Sequence, residues 1–296
     1  MRIVSPPPPG RINMSWCWEL LSLQWRYEIR WIYRVSYQLQ TIVWLQIAAY
    51  FANKVKDVTV VGRSLPFERS LGTEIGQYFK HLFESKGVQF KLGTSISEVN
   101  ESASNPGEVG SVSLENGSEL KADVLVSGIG VAPNTDFLNN CGVSLSDGGY
   151  VAVDEFMGTS VSNIWAAGDV VSFPLFLADG EKVSIGHWQL AQALGRNAAL
   201  NVMGKKEAVR SVPFFWTVLF GMSLRYAGHA AQGFDDIVYE GSVEEGSFAA
   251  FYCKGLNVMA VGTLKKDPRA AQFANLLKSG RKLTKNQIHE EWYSDT

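Results

Sequence analysis

Thr159-Ser160-Val161-Ser162-Asn163-Ile164-Trp165-Ala166-Ala167-Gly168-Asp169 carries the strongest signal in this chain. It reads as a turn, a short apolar strand over 164–167, and a Gly-Asp pair opening onto a new segment. A glycine at a strand end lets the backbone come close to a ligand. The aspartate after it can accept hydrogen bonds from sugar-like hydroxyls. Taken alone, the pair fits the end of any buried strand better than a binding site. A helix downstream shifts the balance. Residues 187–201, opening His187-Trp188-Gln189, have helical spacing, and the N-terminus of that helix could face a negative or electron-rich group.

Upstream, the pattern predicts a helix over 41–53, with Ile42, Leu45, Ala48 and Ala49 on one face. The β-branched run 58–61 reads as a buried strand. An amphipathic helix follows over 73–86, carrying Ile75, Phe79, Leu82 and Phe83, with Gly87 where a helix end favours glycine. Residues 88–92 form the next strand. Strand, helix and strand in this order suggest a parallel α/β layer. Strands at 98–99, 111–114 and 119–120 then make a meander around the Asn116-Gly117 hairpin signal. Residues 123–127 read as a returning buried strand, followed by Gly128-Ile129-Gly130.

Downstream of Asn201 the texture changes. Short strands are predicted at 213–216, 224–227, 237–240, 248–253 and 258–264, then a helix with Asp267 as N-cap and Pro268 at its first position. Strands first and a helix afterwards mark an α+β domain, with a boundary near Gly204-Lys205-Lys206.

Bulk properties exclude several classes. The chain has 296 residues, 46% hydrophobic and 19% charged, with a net charge of −2. No basic excess points to nucleic acid. Cys17, Cys141 and Cys253 are far apart, which disfavours a redox dithiol. His81, His187, His229 and His289 lack metal-ligand spacing, so no metal is expected. Residues 1–40 are atypical. They contain the proline run 6–9, and 16–44 holds five of the nine tryptophans. Charges at Arg26, Glu28, Arg30 and Arg34 leave no apolar stretch of about 18 residues, so no membrane span is expected. This head reads as disordered, as a weak transit peptide, or as not native to the fold.

From about residue 41 to 290 the chain resembles the apoptosis-inducing-factor-like FAD-dependent NAD(P)H oxidoreductases, most nearly their Rieske-linked third type, within the pyridine nucleotide-disulphide oxidoreductase superfamily. The matching stretches are 47–50, 66–72, Gly128-x-Gly130-x-x-Pro133, 164–169 and 187–199, extended by Pro213-Phe214-Phe215-Trp216 and Tyr226-Ala227-Gly228. Their joint order is specific where none alone is. The resemblance implies an α/β fold: a partial NAD(P)-binding Rossmann-like domain over 41–135, the C-terminal part of an incomplete FAD-binding domain over 136–204, and a C-terminal α+β domain of dimerisation type over 205–296. It implies FAD as cofactor and NAD(P)H as electron donor, with an electron acceptor that is a small molecule or a protein, a homodimer as assembly, and a cytoplasmic or mitochondrial location.

By the same resemblance, Gly168 and Asp169 hold the flavin ribityl chain. His187, Trp188 and Gln189 lie beside the isoalloxazine ring, which Phe215 and Trp216 approach from the C-terminal domain. Gly128 and Gly130 admit the nicotinamide half of NAD(P)H. Arg63, at the end of strand 58–61, stands where a dinucleotide fold reads the ribose 2′ position and hints at NADPH; a solvated surface arginine is an equal alternative. Such an enzyme stacks nicotinamide on flavin and needs no side-chain general base, so no catalytic side chain is assigned.

The chain also departs from its family. No Gly-x-Gly-x-x-Gly occurs in it, although each phosphate loop of the family depends on one. Tyr37-Gln38-Leu39-Gln40-Thr41 stands at the second of these sites, with Trp44 and Gln46 beyond it, and a ring as large as that of Trp44 is expected to prevent close helix–strand packing. The first half of the FAD domain is expected to be missing. Two functions are therefore compatible with the sequence: an FAD-dependent oxidoreductase impaired in cofactor binding, and a non-catalytic interaction or dimerisation module.

Overall fold

The structure is a computed structural model that describes residues 40–293. The expectations for the proline run, the tryptophan-rich head and a transit peptide lie outside the described residues. The chain divides into two compact units, with the change of unit between Gly130 and Val131.

The first unit starts with α1 (Gln40–Phe51), β1 (Val58–Gly62), α2 (Glu68–Leu71), α3 (Thr73–Glu84) and β2 (Val88–Leu92). β1 and β2 pair in parallel, Val58 opposite Val88 and Gly62 opposite Leu92. All five β1 residues are buried, as a strand covered on both faces requires. The crossover helix α3 buries Ile75, Gly76, Phe79 and Phe83. Gly87 follows it at φ +84°, a left-handed conformation suited to glycine. Next comes an antiparallel meander of β3 (Ile96–Glu101), β4 (Val109–Leu114) and β5 (Glu119–Lys121). Val112 and Leu114 pack with Val61 of β1.

Two expectations for this unit fail. Residues 123–127 form no strand. Leu125 packs against the Val61–Val112–Leu114 cluster, but an apolar run becomes a strand only where a neighbouring backbone takes up its N–H and C=O groups. Trp44 does not keep its helix off the sheet either. It is 6% exposed and lies with Leu45 and Ala48 on the buried face of α1, which packs on β1.

The second unit has two cores. One is built on the small sheet of β6 (Val151–Ala152), β7 (Val171–Pro174) and β8 (Lys182–Val183), with β6 and β7 parallel. Val151, Val171, Phe173 and Leu175 pack there with Leu190 and Leu194 of α4 (Trp188–Val202). The other core belongs to a five-stranded antiparallel sheet in the order β11-β12-β13-β10-β9, made of β9 (Phe214–Leu219), β10 (Met222–Gly228), β11 (Asp236–Ser242), β12 (Ser247–Lys254) and β13 (Asn257–Leu264). Phe251, Cys253, Val258 and Val261 from this sheet pack against Phe273 and Leu276 of α5 (Arg269–Lys278), with Trp292 closing the cluster.

The second unit overturns two further expectations. Residues 164–167 are not a strand: only Trp165 makes an isolated bridge, to Gly158, and the strand lies after Gly168-Asp169, as β7. Asp267 is not the N-cap of α5; Pro268 occupies that position. The Asp267 carboxylate is bound instead by the Arg225 guanidinium on β10, so an ion pair takes up the oxygens a cap would have used.

Candidate functional site

The site lies where the turn before β7 meets the first turn of α4. The side chains of Val171 and Phe173 pack with Leu190 and Leu194, which brings residues 168–169 to the N-terminal end of α4. Gly168 has φ +89°. A Cβ there would stand 4.0 Å from the Ala191 Cβ, so the backbone angle, and not lack of room, demands glycine. Asp169 is exposed, and its Oδ1 accepts the His187 N–H at 3.2 Å. Gly186 lies under the carboxylate, where a Cβ would be 3.5 Å from Oδ2.

His187 is the N-cap of α4, with extended backbone, and no side chain caps the helix. The N–H groups of the first turn therefore keep their donor capacity, and the aligned peptide dipoles leave partial positive charge at this end. Trp188 is 74% exposed, and Gln189 is exposed as well. The ring of His187 lies 5.9 Å from that of Phe215 on β9. Phe215 in turn stacks on Tyr226 of β10, its cross-strand partner, at 4.7 Å and 16°. The Tyr226 hydroxyl accepts the Ala230 N–H at 3.2 Å, and burial pushes its pKa well up. Because neighbours on a strand point to opposite faces, Trp216 does not join this stack. It is 48% exposed and lies 6.3 Å from Phe214.

The structure thus brings Gly168, Asp169, His187 and Phe215 together, with Trp188 and Gln189 at the same helix end, while Trp216 faces the other way. Gly128, Gly130 and Arg63 belong to the first unit. Gly130 has φ +100°, which calls for glycine. Arg63 follows β1 and pairs with Glu115 at 3.3 Å, both side chains about half exposed (53% and 51%). Gly186 and Tyr226 carry no role that sequence alone assigns. The signals for them are a glycine two residues before the helix and an aromatic opposite Phe215 across a short turn.

Burial holds the His187 imidazole below its ordinary range, with Asp169 pulling the other way. His229 is lowered by burial too, opposed by Glu181. A histidine that resists protonation when folded binds fewer protons than in the unfolded chain. Stability is therefore expected to fall as pH drops below the ordinary imidazole value of about 6.5, and to level off below the folded values. Urea midpoints at about pH 7.5 and about pH 5, for the chain and for the His187→Gln/His229→Gln double variant, check this. The variant should show the shallower drop, and an identical drop would contradict it.

Residues 43–195 match the family model described as pyridine nucleotide-disulphide oxidoreductase, and residues 214–293 match the one described as reductase C-terminal. Apoptosis-inducing factor 3 of Mus musculus is 40% identical over 245 residues, 82% of this chain and 40% of that protein. Rhodocoxin reductase of Rhodococcus erythropolis is 31% identical, over 82% of this chain and 56% of its own length. Among solved structures, the covalent putidaredoxin reductase–putidaredoxin complex superposes with a TM-score of 0.78 at 25% identity, covering 86% of this chain and 59% of that one. The chain thus spans between 40% and 56% of the length of these two curated relatives.

Proposed function

This chain belongs to the pyridine nucleotide-disulphide oxidoreductase family, and on that premise we propose that it acts as an FAD-dependent oxidoreductase, taking electrons from NAD(P)H and passing them to a ferredoxin-type protein or a small-molecule acceptor. The acceptor class rests on the putidaredoxin bound to the reductase in the matched complex. We assign residues 41–135 to the NAD(P)H-binding part, 136–204 to the C-terminal part of the FAD domain, and 205–296 to a C-terminal domain through which a homodimer would form. The location we propose, from the family resemblance alone, is the cytoplasm or the mitochondrion. Separately, no helix among the described residues is long and apolar enough to cross a membrane.

One observation carries this reading. Asp169, after a glycine at φ +89°, sits at the uncapped N-terminus of α4. The residues fit the ring and sugar-alcohol end of FAD. The Asp169 carboxylate would accept ribityl hydroxyls, and the α4 N–H groups would stabilise negative charge on the reduced ring. Burial lowers the pKa of the His187 imidazole against the pull of Asp169, which disfavours a fixed positive charge there, and Phe215 behind it would exclude water. FAD, when bound, supplies a ring that accepts a hydride and releases electrons singly or in pairs. The given sequence contains no Gly-x-Gly-x-x-Gly, the loop type that holds a dinucleotide pyrophosphate. That observation favours a second reading, in which the five-stranded sheet and α5 serve as a non-catalytic interaction module.

Reduction of ferricyanide by the purified chain, with NADH or NADPH and added FAD, separates the two. Flavin-dependent turnover supports the oxidoreductase; a folded chain without turnover supports the module. Arg63→Ala is expected to weaken NADPH binding about tenfold, the scale of one lost charge-assisted contact to a phosphate, while NADH binding changes little. Equal losses for both nucleotides would refute the 2′-phosphate role.

A further inference from the structure

Between α4 and α5, within the second unit, lies a groove of about 420 Å³ that the proposed oxidoreductase chemistry does not use. Its lining is mixed: Leu190, Val212, Phe214 and Ala274 supply an apolar floor, beside the polar Ser211 and Asn275. Its rim carries two cations, Arg210 and Lys278. Both are exposed. Neither has an ion-pair partner among the described residues, where the five ion pairs involve other side chains.

We propose that this groove binds a small anionic amphiphile, a medium-chain aliphatic carboxylate, with its chain on the apolar floor and its head between Arg210 and Lys278. The volume lies in the range of small-molecule sites, about 300–1,000 Å³. An aliphatic chain gains by leaving water for the Leu190–Val212–Phe214 surface. Arginine and lysine both favour a carboxylate, arginine by a two-point contact and lysine as a point charge. A neutral amphiphile would leave the cations unsatisfied, and a cationic one would be repelled. The groove can be filled whether or not the chain carries flavin, because none of the four floor residues nor either rim cation is assigned to the flavin. Gln189 borders both places, so an occupant would lie near the start of α4.

Calorimetric titration of the full chain with decanoate tests the proposal, with decanol and decyltrimethylammonium as neutral and cationic controls. Decanoate should bind at one site and tighten a few-fold for each added methylene. The Arg210→Gln/Lys278→Gln variant should weaken decanoate at least about tenfold while leaving decanol binding and the thermal midpoint unchanged. Ala274→Trp, which places a ring on the floor, should abolish both. No decanoate binding by the folded chain would overturn the proposal, as would equal binding of decyltrimethylammonium or an unchanged affinity in the double variant. A chain dimer that weakens in the double variant and ignores decanoate would show a protein interface instead, and would also overturn it.

Discussion

Asp169→Ala should lower the affinity of the chain for FAD roughly 30- to 100-fold, whereas Asp179→Ala should leave it within a factor of about two. The asymmetry comes from position. Asp169 follows a glycine whose left-handed backbone turns the chain toward the start of α4, and its carboxylate reaches the His187 N–H. In the proposed role, losing it would remove a charged acceptor for the ribityl hydroxyls, a loss of about 2–3 kcal/mol where the hydrogen bond involves an ion. Asp179 is also exposed and also near a strand, but it ends a short 3₁₀ turn in a left-handed conformation of its own. Fluorescence titration of flavin against each variant measures both values. Equal effects would refute the site assignment, because the two changes alter net charge identically.

Gly228→Ala should cost roughly 2–5 kcal/mol of stability. Gly228 closes β10 at φ +96°. A Cβ there would stand 2.4 Å from the Met259 carbonyl oxygen, 2.9 Å from the Ala260 Cα and 3.1 Å from Phe273. Two of these are backbone atoms of the paired strand β13, held by the sheet ladder and unable to give way. The Gly228 N–H also donates to the Pro213 carbonyl at 2.9 Å, so the clash reaches the start of β9, the strand that carries Phe215. Gly255→Ala is the control. It has φ +59° and open space around it, so only the backbone conformation is penalised, by about 1 kcal/mol. Denaturant unfolding of the three proteins gives the comparison. A Gly228 variant as stable as the Gly255 variant would show that the strand end can relax.

The antiparallel half was the most legible in the sequence. Strands expected at 248–253 and 258–264 appear as Ser247–Lys254 and Asn257–Leu264, because long β-branched and aromatic runs separated by Lys254-Gly255 admit one local solution. The parallel pair was legible for a similar reason: a continuous apolar run, an amphipathic helix and a glycine at its end agree with one another. Residues 123–127 and 164–167 look equally strand-like yet form no ladder: the first run pairs with no strand among the described residues, and the second makes only the single bridge from Trp165 to Gly158, which the run itself does not reveal. Asp267 had the local look of a cap, and a distant arginine, Arg225, claimed it.

The candidate site divides in the same way. Gly168-Asp169 and the start of the helix were visible as a motif, because chemistry that needs a positive φ beside an acid is written locally. The side of β9 that faces His187 was not. Phe215 and Trp216 are adjacent in sequence and equally aromatic, and only the pairing of Phe215 with Tyr226 decides which ring lies beside His187. The groove between α4 and α5 was invisible to sequence, since Arg210 and Lys278 stand far apart along the chain and line one groove only in the folded chain.

In the proposed site, the turn at Gly168 and Asp169, set against the start of α4, would hold a flavin. Gel filtration of the folded chain after incubation with FAD, monitored at the flavin absorbance band, tests it most directly. Yellow protein is expected, with flavin eluting in proportion to the chain and largely lost in Asp169→Ala. A colourless, folded chain, with all the flavin eluting as free cofactor, would contradict it.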